Sequence, residues 1–280
     1  MKTDVLFLEC PSAELLFGRP AILGCALDMT STFRGGSGDA PNAIRAASDS
    51  VDTYSSLLDR DLSDHPFADL GDVALSGISI DAALVAIENA VAEILRRGGF
   101  PLCLGGEHTV TLPIVKALKA VHKEFVVLHL DAHTDLRDSY EGSYVNHATV
   151  MRRIVDLIGP GSLLQLGVRS GTREEFAWMR ANCTLIQWTP GSEKNLLNRI
   201  DSRPVYLTLD LDVLDPSEFP GTGNPEAGGW SYRDLERLLL VLQNVPLIGA
   251  DVVELIPALD PSHIATIAAS KIVRELLLIL

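Results

Sequence analysis

Apolar residues along the chain fall into two recurring patterns. Short unbroken runs, "AILGCAL", "PLCLGG", "EFVVLHL", "SLLQLGV", "TLIQW", "PVYLTLD" and "PLIGADVV", are rich in Val, Ile and Leu. Runs of that length suit strands buried on both faces, as in a parallel sheet. Between them lie segments with helical spacing. "APNAIRAASDSVDTYSSLL" carries Pro41 near a helix start, and "SIDAALVAIENAVAEILRRGG" repeats apolar residues every three or four positions and stops at Gly98 and Gly99. "SYRDLERLLLVLQN" begins at a plausible Ser231 cap, and "SHIATIAASKIVRELLLIL" closes the chain as an amphipathic helix. The alternation predicts a doubly wound α/β domain with helices on both faces of the sheet. With no repeat, low-complexity tract or Pro/Ser-rich linker, residues 1–280 read as one domain.

Charge narrows the class of partner. The 280 residues hold 37 Asp and Glu against 23 Lys and Arg, for a formal charge of -14. That field repels nucleic acid and anionic membranes and favours a metal cation or a small amine. Cys10, Cys25, Cys103 and Cys183 lie far apart with no Cys-x-x-Cys pairing, so a reducing, cytoplasmic compartment is expected. No apolar run reaches the roughly 18 residues of a membrane span, and the protein reads as soluble and unexported.

Ligands of open parallel sheets bind beyond the carboxyl ends of the strands. Three strand exits there carry unusual chemistry. "PLCLGGEHTVT" presents Glu107 and His108, with Thr109 or Thr111 able to start the next helix. "LHLDAHTD" presents Asp131, His133 and Asp135, which alternation along an extended chain points to one side. "YLTLDLDVLDPSEFPGTGNPEAGG" presents Asp210 and Asp212 in the same alternation, then Asp215 and a Pro/Gly-rich loop. Taken singly, each is an ordinary loop residue or cap; His65, His122 and His263 are read that way, and His129 is set aside because it sits inside its strand. Together, Asp131, Asp135, Asp210 and Asp212 in one crevice could not all stay ionised without compensation. Two divalent cations would cancel their charge, and oxygen-rich ligation with some imidazole suits Mn²⁺ better than a thiolate-type zinc site, while the ligand types also admit Co²⁺, Ni²⁺ or Fe²⁺.

At these residues the sequence resembles the ureohydrolases: arginase, agmatinase, formiminoglutamase and guanidinobutyrase. "GGEH", "DAHTD", "DLDVLDP", "PGTGNPEAGG" and "ADVVELIP" occur in that family's order and cover nearly the whole chain. The resemblance implies a three-layer αβα fold with a mostly parallel sheet of roughly eight strands. It implies two Mn²⁺ per subunit, one held by His108, Asp131, Asp135 and Asp210 and the other by His133, Asp131, Asp210 and Asp212. A solvent molecule between the cations would attack a guanidinium carbon, releasing urea and an amine. Asp135 would accept a hydrogen bond from that nucleophile, Glu254 would pair with the guanidinium, and His147 would relay protons to the leaving amine. The resemblance also implies a homo-oligomer, a trimer or hexamer.

The loop "LRDSYEGSYVNHA" sets Asp138, Glu141, Tyr140 and Tyr144 against a single base, Arg137, and an acidic, aromatic wall suits a cationic tail. Asp138, Glu141 and Asn146 are accordingly assigned to substrate binding with Glu254. The expected substrate is a cationic guanidino amine, agmatine or N1-aminopropylagmatine, giving putrescine or a related polyamine. Alternatives are another guanidino or amidino hydrolase and a non-catalytic metal-binding relative; a deacetylase-like enzyme of the same fold would need only one zinc. Ala148, Glu107, Asn224 and the loosely matching "FRGGSGDAPNAIR" depart from the family pattern.

Overall fold

The apolar runs become the strands of one sheet. A computed structural model describes residues 5–10 and 17–280. Strands β1 (Pro20–Cys25), β4 (Ala68–Asp72), β5 (Phe100–Gly105), β6 (Val126–Leu130), β7 (Leu163–Leu166), β8 (Val205–Asp210) and β9 (Leu247–Val253) form a seven-stranded sheet in the order β4-β1-β5-β9-β8-β6-β7. Every pairing in it is parallel. The two-residue strands β2 (Tyr54–Ser55) and β3 (Arg60–Asp61) make a separate small ribbon.

Helices cover both faces, as parallel strands with crossover connections require. They are α1 (Ala40–Ser48), α2 (Ile80–Arg96), α3 (Thr111–Val121), α4 (Val150–Ile158), α5 (Arg173–Asn182), α6 (Glu193–Ile200), α7 (Tyr232–Leu242) and α8 (Ile264–Ile279). One core layer joins Ile44, Leu196, Leu238 and Ile272 of α1, α6, α7 and α8 to Leu128 and Leu207 of the sheet. The other joins Ile87, Val115 and Ile154 of α2, α3 and α4 to Val127 and Tyr206. Neighbouring residues of one strand thus feed opposite layers, which is why these strands show no polar face. Ser231 caps α7 in a capping box with Asp234, and Ser79 caps α2 by accepting from Ala82 N at 3.3 Å.

Two expectations need correction, and one strand had no sequence signal. "TLIQW" is not a full eighth strand: Leu185 bridges Gln165 once, and the chain then turns so that Trp188 stacks on Trp230 at 6.0 Å. The helix beginning at Ala40 ends at Ser48 and does not run to Leu58. Beyond it Val51, Thr53 and Tyr54, flanked by Asp and Ser, favour extended chain and turns. Edge strand β4 has no apolar run, because its Asp69 is buried against Arg45. No helix among the described residues is long and apolar enough to cross a membrane.

Candidate active site

The exits of β5, β9, β8 and β6, four adjacent strands, build the site. Gly106 follows β5 where a Cβ would lie 1.9 Å from Leu27 O, so only glycine lets the chain leaving β1 press this closely. The next residue, Glu107, is fully buried and accepts from Met29 N at 2.7 Å, Thr30 N at 2.6 Å and Thr30 Oγ1 at 2.7 Å. It pins the loop after β1 beside the site, which gives this departure from the family pattern a structural role.

His108 is held from two sides. Its N–H donates to Glu254 Oε1 at 2.7 Å, and its Nε2 lies 2.9 Å from Thr208 Oγ1. The Thr208 hydroxyl donates to Asp251 Oδ1 at 2.7 Å, so its oxygen is left to accept from Nε2–H. In the neutral ring this leaves the lone pair of His108 on Nδ1, and that buried atom has no hydrogen-bond partner. It faces Asp131 Oδ2 at 3.2 Å, Asp135 Oδ2 at 3.3 Å and Asp210 Oδ2 at 3.2 Å. The second imidazole, His133, sets Nδ1 2.9 Å from Asp212 Oδ2 and 3.4 Å from Asp131 Oδ1. Asp212 is fixed by Ala132 N, which donates to it at 2.9 Å, and its own N–H donates to Asp210 Oδ1 at 2.9 Å.

Asp131, Asp135, Asp210 and Asp212 are all buried, and among the described residues no lysine or arginine pairs with any of them. Burial, with repulsion between the acids, pushes the Asp210 carboxyl well above its ordinary range, and Asp212 moves the same way. Without a cation, burial lowers both imidazoles but the surrounding carboxylates outweigh it: His108 stands well above its usual value and His133 is pushed up to about 12, so protons would occupy the ring positions that a divalent cation would take over. Such a cluster is built for positive charge. An orphaned imidazole lone pair among carboxylate oxygens fits a hard or borderline divalent cation. His108, His129, Asp131 and Asp135 offer one group of potential ligand atoms and Asp131, His133 and Asp212 a second, each within 4.8 Å. Asp210 joins the first through its Oδ2.

Two site acids sit in left-handed backbone, Asp135 at φ 52° and Glu254 at φ 66°. That conformation costs roughly 1–3 kcal/mol for a residue other than glycine and recurs at functional sites. Glu254 is half-buried, its N–H donates to Gly106 O at 2.9 Å, and burial pushes its carboxyl up to about 8.

A cavity of about 520 Å³ opens over these groups, and His147 and Glu254 line it with His108, His133, Asp135, Asp210 and Asp212. His147 meets Tyr140 edge to face at 6.0 Å, and its Nδ1 lies 3.5 Å from Thr30 Oγ1. The other assigned substrate residues lie elsewhere. Asp138 pairs with Arg153 at 2.8 Å, Glu141 is exposed on a turn, and buried Asn146 caps the turn at His147 while donating to Tyr140 O at 2.9 Å. None of the three lines the cavity, whereas Glu175 and Glu226 do. Glu226 stood in the quoted "PGTGNPEAGG" loop without being singled out. Arg169 was missed altogether. It spans that loop and the "DLDVL" turn, donating to Asp212 O at 2.8 Å and Glu226 O at 2.7 Å. Asp215 is structural: it accepts from Gly228 N and Gly229 N, each at 2.9 Å.

A three-layer parallel fold with an imidazole and carboxylate cluster at the carboxyl ends of its central strands defines a metal-dependent hydrolase class. The sequence profile of the arginase family matches residues 19–279, and the chain belongs to that family. It is 42% identical to an agmatinase of Bacillus anthracis, over 92% of this chain and 90% of that one. It is 34% identical to the N(1)-aminopropylagmatine ureohydrolase of Thermococcus kodakarensis, over 90% of this chain and 87% of that one. Among solved structures, the proclavaminate amidino hydrolase of Streptomyces clavuligerus superposes with a TM-score of 0.91 at 27% identity, covering 98% of this chain and 95% of that one.

Proposed function

We propose that the protein hydrolyses the guanidinium group of a cationic amine, agmatine or its N1-aminopropyl derivative, to urea and the corresponding polyamine, using two Mn²⁺ ions. The observation that carries this reading is the bare Nδ1 of His108 facing three carboxylates on the floor of a cavity that also holds Glu254. His108, Asp131, Asp135 and Asp210 would hold one ion, and His133, Asp131, Asp210 and Asp212 the other. When bound, such a pair supplies water acidified toward neutrality.

The chain's own residues do the rest. Glu254 takes the planar guanidinium in a two-pronged pair and turns its carbon toward the cluster. Asp135 accepts a proton from the attacking water and hands it to the departing nitrogen, and His147 at the cavity wall delivers a proton to the amine as it leaves. Water adds, one C–N bond breaks, and the products are neutral urea and an ammonium.

The outer wall argues for the amine tail. Glu175 and Glu226 stand there against one cation, Arg137, whose guanidinium already stacks 4.4 Å from the Tyr140 ring. Arg137 is the one feature that favours a carboxylate tail instead. The deciding experiment loads the purified chain with Mn²⁺ and measures urea from agmatine, N1-aminopropylagmatine, arginine and guanidinobutyrate side by side. Turnover of either amine is the expected result, and turnover of arginine or guanidinobutyrate alone would overturn the tail assignment.

A further inference from the structure

Two residues upstream of the ligands, a polar row crosses the sheet. Strand register sets Asp251 beside Thr208, Thr208 beside His129 and His129 beside Gln165. All four are completely buried. Side chains two apart on a strand share a face, so Thr208 lies beneath Asp210 and His129 beneath Asp131. The Thr208 end of this row fixes His108, as described above. The His129 end is a separate chain of bonds.

Thr184 Oγ1 donates to Gln165 Oε1 at 3.0 Å, and Gln165 Nε2 donates to Thr134 O at 3.0 Å, which fixes the direction of the Gln165 amide. The same Nε2 lies 3.1 Å from His129 Nδ1. An amide nitrogen only donates, so Nδ1 must accept, and the ring proton resides on Nε2. That Nε2–H donates to Asp131 Oδ2 at 2.8 Å. Both ring nitrogens are thereby in use, so His129 is not a ligand, although its ring centre lies 5.1 Å from that of His108.

We infer that His129, held in one tautomer by Gln165, is a positioning residue that aims Asp131 at the metal on the His108 side. The inference rests on the dinuclear reading above. The two oxygens of Asp131 divide the work. Oδ1 accepts from His133 N and faces His133 Nδ1, whereas Oδ2 accepts from His129 and faces His108 Nδ1. Each oxygen has one protein donor and one side turned to an imidazole Nδ1. Loss of the His129 donor should free Oδ2 and leave Oδ1 in place. Outer partners of metal ligands typically contribute about 10–100-fold in metal affinity.

The test is calorimetric titration of Mn²⁺ into the chelator-stripped full chain. Wild type is expected to show two sites, and His108→Ala identifies the one on its side by weakening it. His129→Phe keeps the bulk but removes the donor; it should keep two sites and weaken the His108-side one about 10–100-fold. His129→Gln, whose terminal amide can reach as Nε2 does, should recover most of that loss. Should His129→Phe fail to fold, Gln165→Leu leaves the ring in place but unanchored and should weaken the same site to a smaller degree. Unchanged affinities in the folded variant would overturn the inference. So would loss of a whole metal equivalent, which would make His129 a ligand, or equal weakening of both sites with no recovery in His129→Gln. A wild-type protein that binds no pair of Mn²⁺ would defeat the metal reading itself, and shows that before any substitution is made.

Discussion

Two buried charge clusters flank this sheet, and the chain treats them in opposite ways. At the edge, fully buried Arg45 grips Asp69 with two parallel bonds of 2.8 and 2.9 Å, and also pairs with Asp72. Its remaining needs are met locally: Arg45 donates to Gly71 O, while Phe7 N and Gly71 N donate to Asp69. Burial pulls the Arg45 guanidinium down, but Asp69 and Asp72 outweigh that and keep it charged. Gly24 makes the room, since a Cβ there would meet Asp72 Oδ1 at 1.8 Å. At the centre, four aspartates gather with three imidazoles, those of His108, His129 and His133, and among the described residues no guanidinium pairs with them; one imidazole nitrogen is left without a hydrogen-bond partner. Where charge serves the fold, the chain supplies its own counterion. Where it does not, the surplus of buried carboxylates suits a cation taken from solution.

The sharpest way to break that comparison is to remove one acid from the centre. Asp131→Ala should lose at least about four orders of magnitude in turnover, over 5 kcal/mol in barrier, because both groups of ligand atoms include it. Elemental analysis should show metal lost with activity. Metal and turnover both retained would mean that the central acids are not a cation site. Removing the counterion at the edge should do the reverse. Arg45→Met leaves two buried carboxylates uncompensated and should cost about 3–5 kcal/mol in chemical denaturation. The folded fraction should still take up its full complement of Mn²⁺. Metal loss there, with the fold intact, would show that the two clusters are coupled.

The contrast also explains what was legible in the sequence. Central strands such as β6 and β8 announce themselves, because burial on both faces requires unbroken apolar runs. The candidate ligands at their exits follow from alternation at Asp131, His133 and Asp135 and at Asp210 and Asp212. Strand β4 was illegible because its polar Asp69 is buried by a salt bridge to Arg45, a partner 24 residues earlier in the chain. His129 was read as an ordinary strand residue for a related reason: its meaning comes from Gln165, 36 residues away on the neighbouring strand. The substrate wall was assigned by proximity in the chain. Asp138 and Glu141 follow the metal loop directly, yet turn to Arg153 and to solvent, while Glu226 reaches the cavity from a distant loop held by Arg169. Local spacing carries strand chemistry well and carries loop destinations poorly.

Glu254 lies between the two extremes, an acid beside the cluster but outside its ligand atoms. Glu254→Gln keeps an oxygen to accept from His108 N, so the fold and both metals should survive. Losing the charge opposite a guanidinium should lower kcat/KM by about two orders of magnitude, near 2.7 kcal/mol. The sign of the pH dependence follows from its raised carboxyl, pushed up to about 8 without cations. Substrate pairing needs the ionised form, so kcat/KM should rise with pH along an acidic limb that ends at or below pH 8, because bound cations pull the midpoint down. The Gln variant should lose this limb from its profile. An unchanged limb would assign it to another group.

An effect no larger, and confined to kcat, is expected at His147, which lines the same cavity but belongs to neither cluster. Its ring touches Tyr140 and lies near Thr30, the residue that Glu107 anchors, so it is placed by the loop after β1 and not by the metal ligands. His147→Ala should therefore keep both metals and change stability by less than about 1 kcal/mol, as expected for a partly exposed residue outside the core. A positioned proton carrier contributes roughly 10²–10⁴-fold, and with Asp135 still present to move the first proton, the lower end of that range applies to kcat. A protonated small amine such as imidazolium added to the assay should restore part of the rate in the space the ring leaves. Metal loss in this variant would move His147 into the cluster. An unchanged rate would reduce it to a wall residue whose ring only fills space beside Tyr140.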